Sequence, residues 1–140
     1  MKLNILLSNS PIWPDQGLGI VRMIMGGMMI FHGAEIFQPD IMKGYLTWDM
    51  FNNSNGKLLV YFGKSTEFLA GLLIGLGLFT RLGSLLAIGT MTVITFFVGH
   101  GKFWYEDQHP FMFVLLGAIF FFCGSGGWSM DEWIGMKRGR

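Results

Sequence analysis

Four long apolar runs dominate this 140-residue sequence, at about residues 17–37, 58–80, 82–99 and 110–128. Each has roughly the 20-residue length that lets a helix cross the hydrocarbon core of a bilayer, about 30 Å thick. Lipid offers no water to backbone N–H and C=O groups, so a spanning run must pair them internally, as a helix does. Composition agrees, with 51% of residues hydrophobic and 14% charged, against about 25% charged in a soluble domain. Glycine, at 21 residues, suits helices that pack backbone to backbone. The expected fold class is therefore all-α: an integral membrane four-helix bundle forming a single domain.

Other classes drop out. The net charge is +1, with no basic patch for nucleic acid. A single cysteine, Cys123, permits neither an internal disulfide nor a CxxC pair. Its apolar surroundings predict a buried structural thiol. The opening MKLNILLSNSPIWPD has too short an apolar stretch for a signal peptide, so the first run is expected to remain as a helix. Asp15 is placed to cap it.

The connections carry information too. Between spans one and two, Ile41, Met42, Tyr45, Leu46 and Phe51 recur at rough helical spacing beside Trp48. This predicts a short amphipathic helix on the membrane surface. Spans two and three follow one another almost directly, as a tight hairpin with Arg81 closing span two. The stretch GHGKFWYEDQH joins spans three and four, and Pro110 is placed to open the last span. Ser129 or Asp131 is a possible cap in the tail.

Ionisable residues inside the spans are the strongest functional signal, because burying them in lipid is costly. Span two holds Lys64 and Glu67, three residues apart and so on one helix face, with Gly71 and Gly75 continuing that face. His32 and Glu35 close span one, His100 closes span three and His109 opens span four. In an up-down bundle all six fall in the same half. They either neutralise one another as a packing network or line a cavity able to donate hydrogen bonds and exchange protons. No HExxH or Glu-x-x-His order is present, so neither a metal site nor haem between His32 and His100 is the leading expectation. Met23, Met25, Met28 and Met29 give span one an adaptable wall. Arg22, Arg81 and Asp131 fall at the opposite end, where Arg22–Asp131 or Arg81–Asp131 is a candidate structural pair.

Lys and Arg divide six to four between the two ends, the larger group being Lys2, Arg22, Arg81, Lys137, Arg138 and Arg140. The positive-inside rule then puts both termini in the cytoplasm and the His-Glu-Lys group in the outer half of the membrane.

The ordered set of Arg22, His32-Gly33, Glu67 with GLLIGLGLFTRLGSLLAIGTM, and the closing GSGGWSMDEW resembles the DoxX family of small four-helix membrane proteins. HGAEIF, YFGKSTEF and GKFWYEDQHPF are similar to one subgroup of it. Many relatives carry Gln or Lys just after the His-Gly pair, where this chain has Glu35, so the local charge differs. The family is similar to the membrane subunit of thiosulfate:quinone oxidoreductase. The resemblance thus implies a bacterial inner-membrane protein with a quinone-linked role. On that reading Glu67 and His109 exchange protons, Lys64 and His32 donate to the quinone, Glu35 and His100 complete the polar group, and Tyr61 and Trp104 flank it. With no cysteine pair to carry electrons, a redox or membrane-complex partner is implied, and a homo-oligomer is compatible. Two alternatives belong to other classes: an accessory subunit of a larger membrane complex, and a small proton- or solute-conducting protein.

Overall fold

A computed structural model describes residues 7–135. The first helix, α1 (Pro14–Gly33), runs into a 3-10 turn at Ala34–Phe37. A seven-residue helix, α2 (Pro39–Tyr45), follows. Helices α3 (Gly56–Leu76) and α4 (Thr80–Val93) form the hairpin, and α4 ends in a π-helical turn, Ile94–Val98. Helix α5 (Gln108–Cys123) and the short α6 (Met130–Trp133) complete the chain. No strand occurs among the described residues. Segments Pro14–Phe37, Gly56–Leu76 and Thr80–Val98 are long and apolar enough to cross a membrane, and α5 is a shorter apolar helix of 16 residues. The chain is thus a membrane helical bundle.

Boundaries differ from expectation for identifiable reasons. Helix α1 starts three residues earlier than expected because Pro14 has the φ that a first turn requires. Asp15 therefore lies inside the first turn and is not the cap. Helix α3 ends at Leu76, where Gly77 takes a left-handed φ of 66°. The Gly77 N–H donates to Ile74 O and the Leu78 N–H to Leu73 O, which is a Schellman stop. Arg81 consequently belongs to α4 and does not close span two. Helix α5 begins at Gln108, two residues before Pro110, and stops at Cys123 rather than near Trp128, because Gly124 leaves helical geometry at φ 83°. Cys123 is exposed, contrary to the buried thiol expected. Ser129 Oγ accepts from the Glu132 N–H and caps α6.

Packing runs mainly from α1 to α3 to α4 to α5, while α1 and α5 touch little. The core is Met25 and Met29 of α1, Ala70 and Ile74 of α3, Ala87 and Met91 of α4, and Phe113 and Phe120 of α5. Glycines set the α1–α3 separation. A Cβ on Gly26 would strike the Gly75 backbone, and one on Gly71 would lie 2.6 Å from Ile30 N and 3.0 Å from Gly26 O. Such close backbone approach is how membrane helices gain packing where lipid supplies no hydrophobic drive between them. Outward faces stay apolar, as with Ile24 on α1, Phe62 on α3, Phe97 after α4 and Phe122 on α5.

Candidate functional site

Up-down topology brings the end of α1, the first half of α3, the end of α4 and the start of α5 to one end of the bundle. Lys64 is the hub there. Its Nζ lies 2.9 Å from Glu35 Oε2 and 3.0 Å from Glu67 Oε2, and it donates to His32 O at 3.4 Å. Tyr45 donates its hydroxyl to Glu35 Oε2 at 2.5 Å. Its ring lies under the ammonium, with Lys64 Nζ 4.9 Å from the centroid. His32 Nδ1 stands 3.9 Å from Glu35 Oε1. His32 and His109 meet edge to face at 5.5 Å, and His109 packs likewise on Phe113 at 5.2 Å.

Depth follows from where α3 begins. Glu67 is the twelfth residue of that 21-residue helix, so at about 1.5 Å per residue it stands near the middle of the span. Its side chain is 4% exposed and that of Lys64 11%. Charges this buried persist only when paired, and the Glu35–Lys64–Glu67 chain pairs them. Outside the spans, burial first and the hydrogen bond to Glu35 second push the Tyr45 phenol above its ordinary value.

Beside the network lies a cavity of about 600 Å³ between α3, α4 and α5. Its polar lining includes His32, Lys64, Glu67 and His109. Phe113, Met91 and Val60 are buried apolar wall, while Leu59, Phe62, Leu85 and Val93 line it yet are 46–69% exposed on the outward face. Ile94 and Val98 of the π turn also line it. A π turn shifts the helix register, and such turns are frequent at functional sites. The size lies within the usual range for small-molecule pockets, about 300–1,000 Å³.

The residues singled out from sequence divide accordingly. Glu35, Lys64, Glu67, His32 and His109 come together, although Glu35 stands behind Lys64 and does not line the cavity. His100, with a side chain 76% exposed, instead faces Glu106 at 3.6 Å, so no His32–His100 pair spans the bundle. Trp104 is 65% exposed and packs on Phe103. Tyr61 points to Lys57 and lies off the cavity lining. None of the four α1 methionines lines it either. Among the described residues, no three His, Cys, Asp or Glu side chains converge to hold a metal ion.

Sequence reasoning missed Tyr45, Trp48 and Phe51 as part of this site. The first and last are the very residues whose spacing marked the interfacial helix, and the only available hint was their aromatic character. Tyr45, Trp48 and Phe51 line the cavity in series, with Tyr45 edge to face on Trp48 at 5.0 Å and Trp48 stacked on Phe51 at 6.3 Å.

At the other end Arg22 is fully buried and bonds to backbone carbonyls rather than to a carboxylate. Nε donates to Ser125 O at 2.8 Å, Nη1 to Ile74 O and Gly75 O at 2.7 Å each, and Nη2 to Trp128 O at 2.9 Å and Gly127 O at 3.4 Å. The irregular segment after α5 thereby has its carbonyls satisfied inside the protein, the condition for such backbone in a membrane protein. Asp131 accepts from the N–H groups of Phe79 and Thr80 and from the Thr80 hydroxyl, so it caps α4 from a distance. Arg81 is exposed and joins neither arrangement. The expected inner pair is thus two adjacent devices, an arginine clasp and an aspartate cap.

Comparison with known proteins adds one finding. No curated protein and no solved structure matches the chain. The DoxX family matches over residues 17–100, from α1 through the π turn, which is more than half of the sequence and contains Arg22, His32, Glu35, Lys64 and Glu67. The closing GSGGWSMDEW lies beyond the matched residues. Its ordered spans, the paired charges on α3 and this match together establish that the chain is a membrane protein of the DoxX family.

Proposed function

We propose that the chain is a quinone- or quinol-binding membrane subunit linked to redox chemistry. The observation that carries this reading is a buried carboxylate, Glu67, in an apolar cavity whose other lining residues reach the lipid-facing surface. A quinone partitions into lipid, so a lateral opening suits its entry, and its flat ring suits the wall of Phe113, Met91 and Val60. Two-electron quinone chemistry also moves protons. His109 and His32 line the same cavity as Glu67 and meet edge to face, so the proposed proton route runs through these imidazoles. Quinone supplies the electron chemistry when bound, and the chain holds, orients and shields it. With Cys123 the sole cysteine, electrons must come from a partner protein. The distribution of Lys and Arg supports an orientation with both termini cytoplasmic and the cavity in the outer half, and the bacterial inner membrane is the location that goes with the proposed role. Lys2, Lys137, Arg138 and Arg140 in that count lie outside the described residues.

The test is to titrate a short-chain benzoquinone, oxidised and reduced, into the protein in lipid nanodiscs. The wild type is expected to bind it saturably, and Glu67→Gln to weaken binding of the reduced form at least tenfold. Equal affinity in a folded variant removes Glu67 from the site and the reading with it.

A further inference from the structure

The hydrogen-bonding capacity left over in the cavity indicates which oxidation state it holds. Lys64 was expected to donate to a ligand carbonyl, but an ammonium has three N–H groups. All three have partners, at Glu35 Oε2, Glu67 Oε2 and His32 O. The Tyr45 hydroxyl is likewise committed to Glu35, and the Thr66 hydroxyl to Phe62 O. The two strong donors nearest Glu67 are therefore spent inside the protein.

Glu67 is the opposite case. The residue is 3% exposed, and Oε2 takes the Lys64 ammonium. Its Oε1 accepts no hydrogen bond from any described residue. No sealed side-chain oxygen or nitrogen among the described residues lacks a partner, so Oε1 must reach open space, and the open space beside Glu67 is the cavity. A carboxylate oxygen only accepts. The donors left on the lining are the Trp48 indole, half exposed, the Thr90 hydroxyl, and two imidazoles that can equally accept.

We infer that the cavity selects a head group bearing a hydroxyl donor, a phenol or hydroquinone, which it binds through an O–H to Glu67 Oε1 in preference to the matching carbonyl-only quinone. The choice of a quinone ring rests on the function proposed above; the preference for a donor rests on the free carboxylate oxygen alone. A quinone presents two acceptors and would set one against Oε1, whereas its hydroquinone presents a donor there. A hydrogen bond to an ionised acceptor is among the stronger kinds, so the discrimination is about tenfold or more.

Four probes sharing one alkyl tail test this in nanodiscs: an alkylphenol, its methyl ether, the alkylhydroquinone kept reduced under anaerobic conditions, and the alkylbenzoquinone. The expected result is that phenol binds at least about tenfold tighter than ether, and hydroquinone tighter than quinone. Glu67→Leu should abolish both preferences. The wild-type comparison stands alone should that variant not fold. A quinone binding as tightly as its hydroquinone overturns the inference and leaves the quinone-site reading standing. Discrimination of phenol from ether, with neither quinone nor hydroquinone bound, does the reverse. Binding of none of the four probes overturns both.

Discussion

Replacing Lys64 with Met is the perturbation that best tests the charge network. The methionine nearly preserves length and apolar stem, so the change is mainly loss of the ammonium. Two carboxylates then lose their cation, Glu67 with a side chain 4% exposed and Glu35 with one 17% exposed. Breaking a buried pair by removing one partner typically costs about 3–5 kcal/mol, much of it the burden of the stranded charge. Glu35 keeps the Tyr45 hydroxyl and more solvent, so most of the loss falls on Glu67, and Lys64→Met is expected to destabilise by about 3 kcal/mol. Neutralising the stranded group should restore much of this: Lys64→Met with Glu67→Gln is expected to recover about 2 kcal/mol, and Lys64→Met with Glu35→Gln clearly less. Reversible unfolding in mixed micelles with increasing dodecyl sulfate, followed by circular dichroism, gives each value and closes the double-mutant cycle. Strictly additive losses in Lys64→Met/Glu67→Gln, or a single-mutant cost below about 1 kcal/mol, would refute the coupling of these three side chains.

Two further outcomes follow from the geometry. Gly71→Ala places a methyl 2.6 Å from Ile30 N and should cost about 1–3 kcal/mol, whereas a Cβ on Gly27 meets nothing within 4 Å, so Gly27→Ala should be neutral or slightly stabilising; thermal unfolding of the two variants side by side checks this. The Tyr45 phenol, pushed up by burial and by its bond to Glu35, should titrate above the ordinary value of 10.0. A pKa raised on folding gives a stabilisation that is full below the unfolded value and lost as pH rises through the folded one, so ultraviolet phenolate absorbance of wild type minus Tyr45→Phe should show a late-titrating tyrosine, and an ordinary titration would dissociate Tyr45 from the network.

How much of this was legible beforehand depends on the range over which each feature is decided. Helix count and the meeting of His32, Glu35, Lys64, Glu67 and His109 at one end follow from apolar run length and alternating direction alone. Gly71 and Gly75 announced close packing by their shared face with Lys64 and Glu67. His100 defeated the same reasoning. It follows a π turn, and Asp107 then takes the N–H groups of His100 and Lys102, folding this loop so that His100 turns outward. Arg22 was read as an ion-pair partner because a charge in lipid suggests a countercharge. Its real partners are carbonyls of residues 74–75 and 125–128, and main-chain acceptors have no signature in the side-chain code. Tyr45 shows the remaining ambiguity, since an aromatic at helical spacing suits a lipid surface and a cavity wall equally.

The arginine clasp also bears on how the protein is made. Arg22 leaves the ribosome before any of these partners, since all five of its hydrogen bonds wait on residues 52 to 106 positions later in the chain. At about 5–20 residues per second, the last acceptor follows roughly 5–20 s after the guanidinium. During that interval α1 must keep a charge hydrated at the membrane surface or shielded by insertion machinery, and it settles to final depth only as the closing segment arrives. Closure of this bundle therefore waits not only on insertion of α5 but on the few residues behind it, which act as its latch.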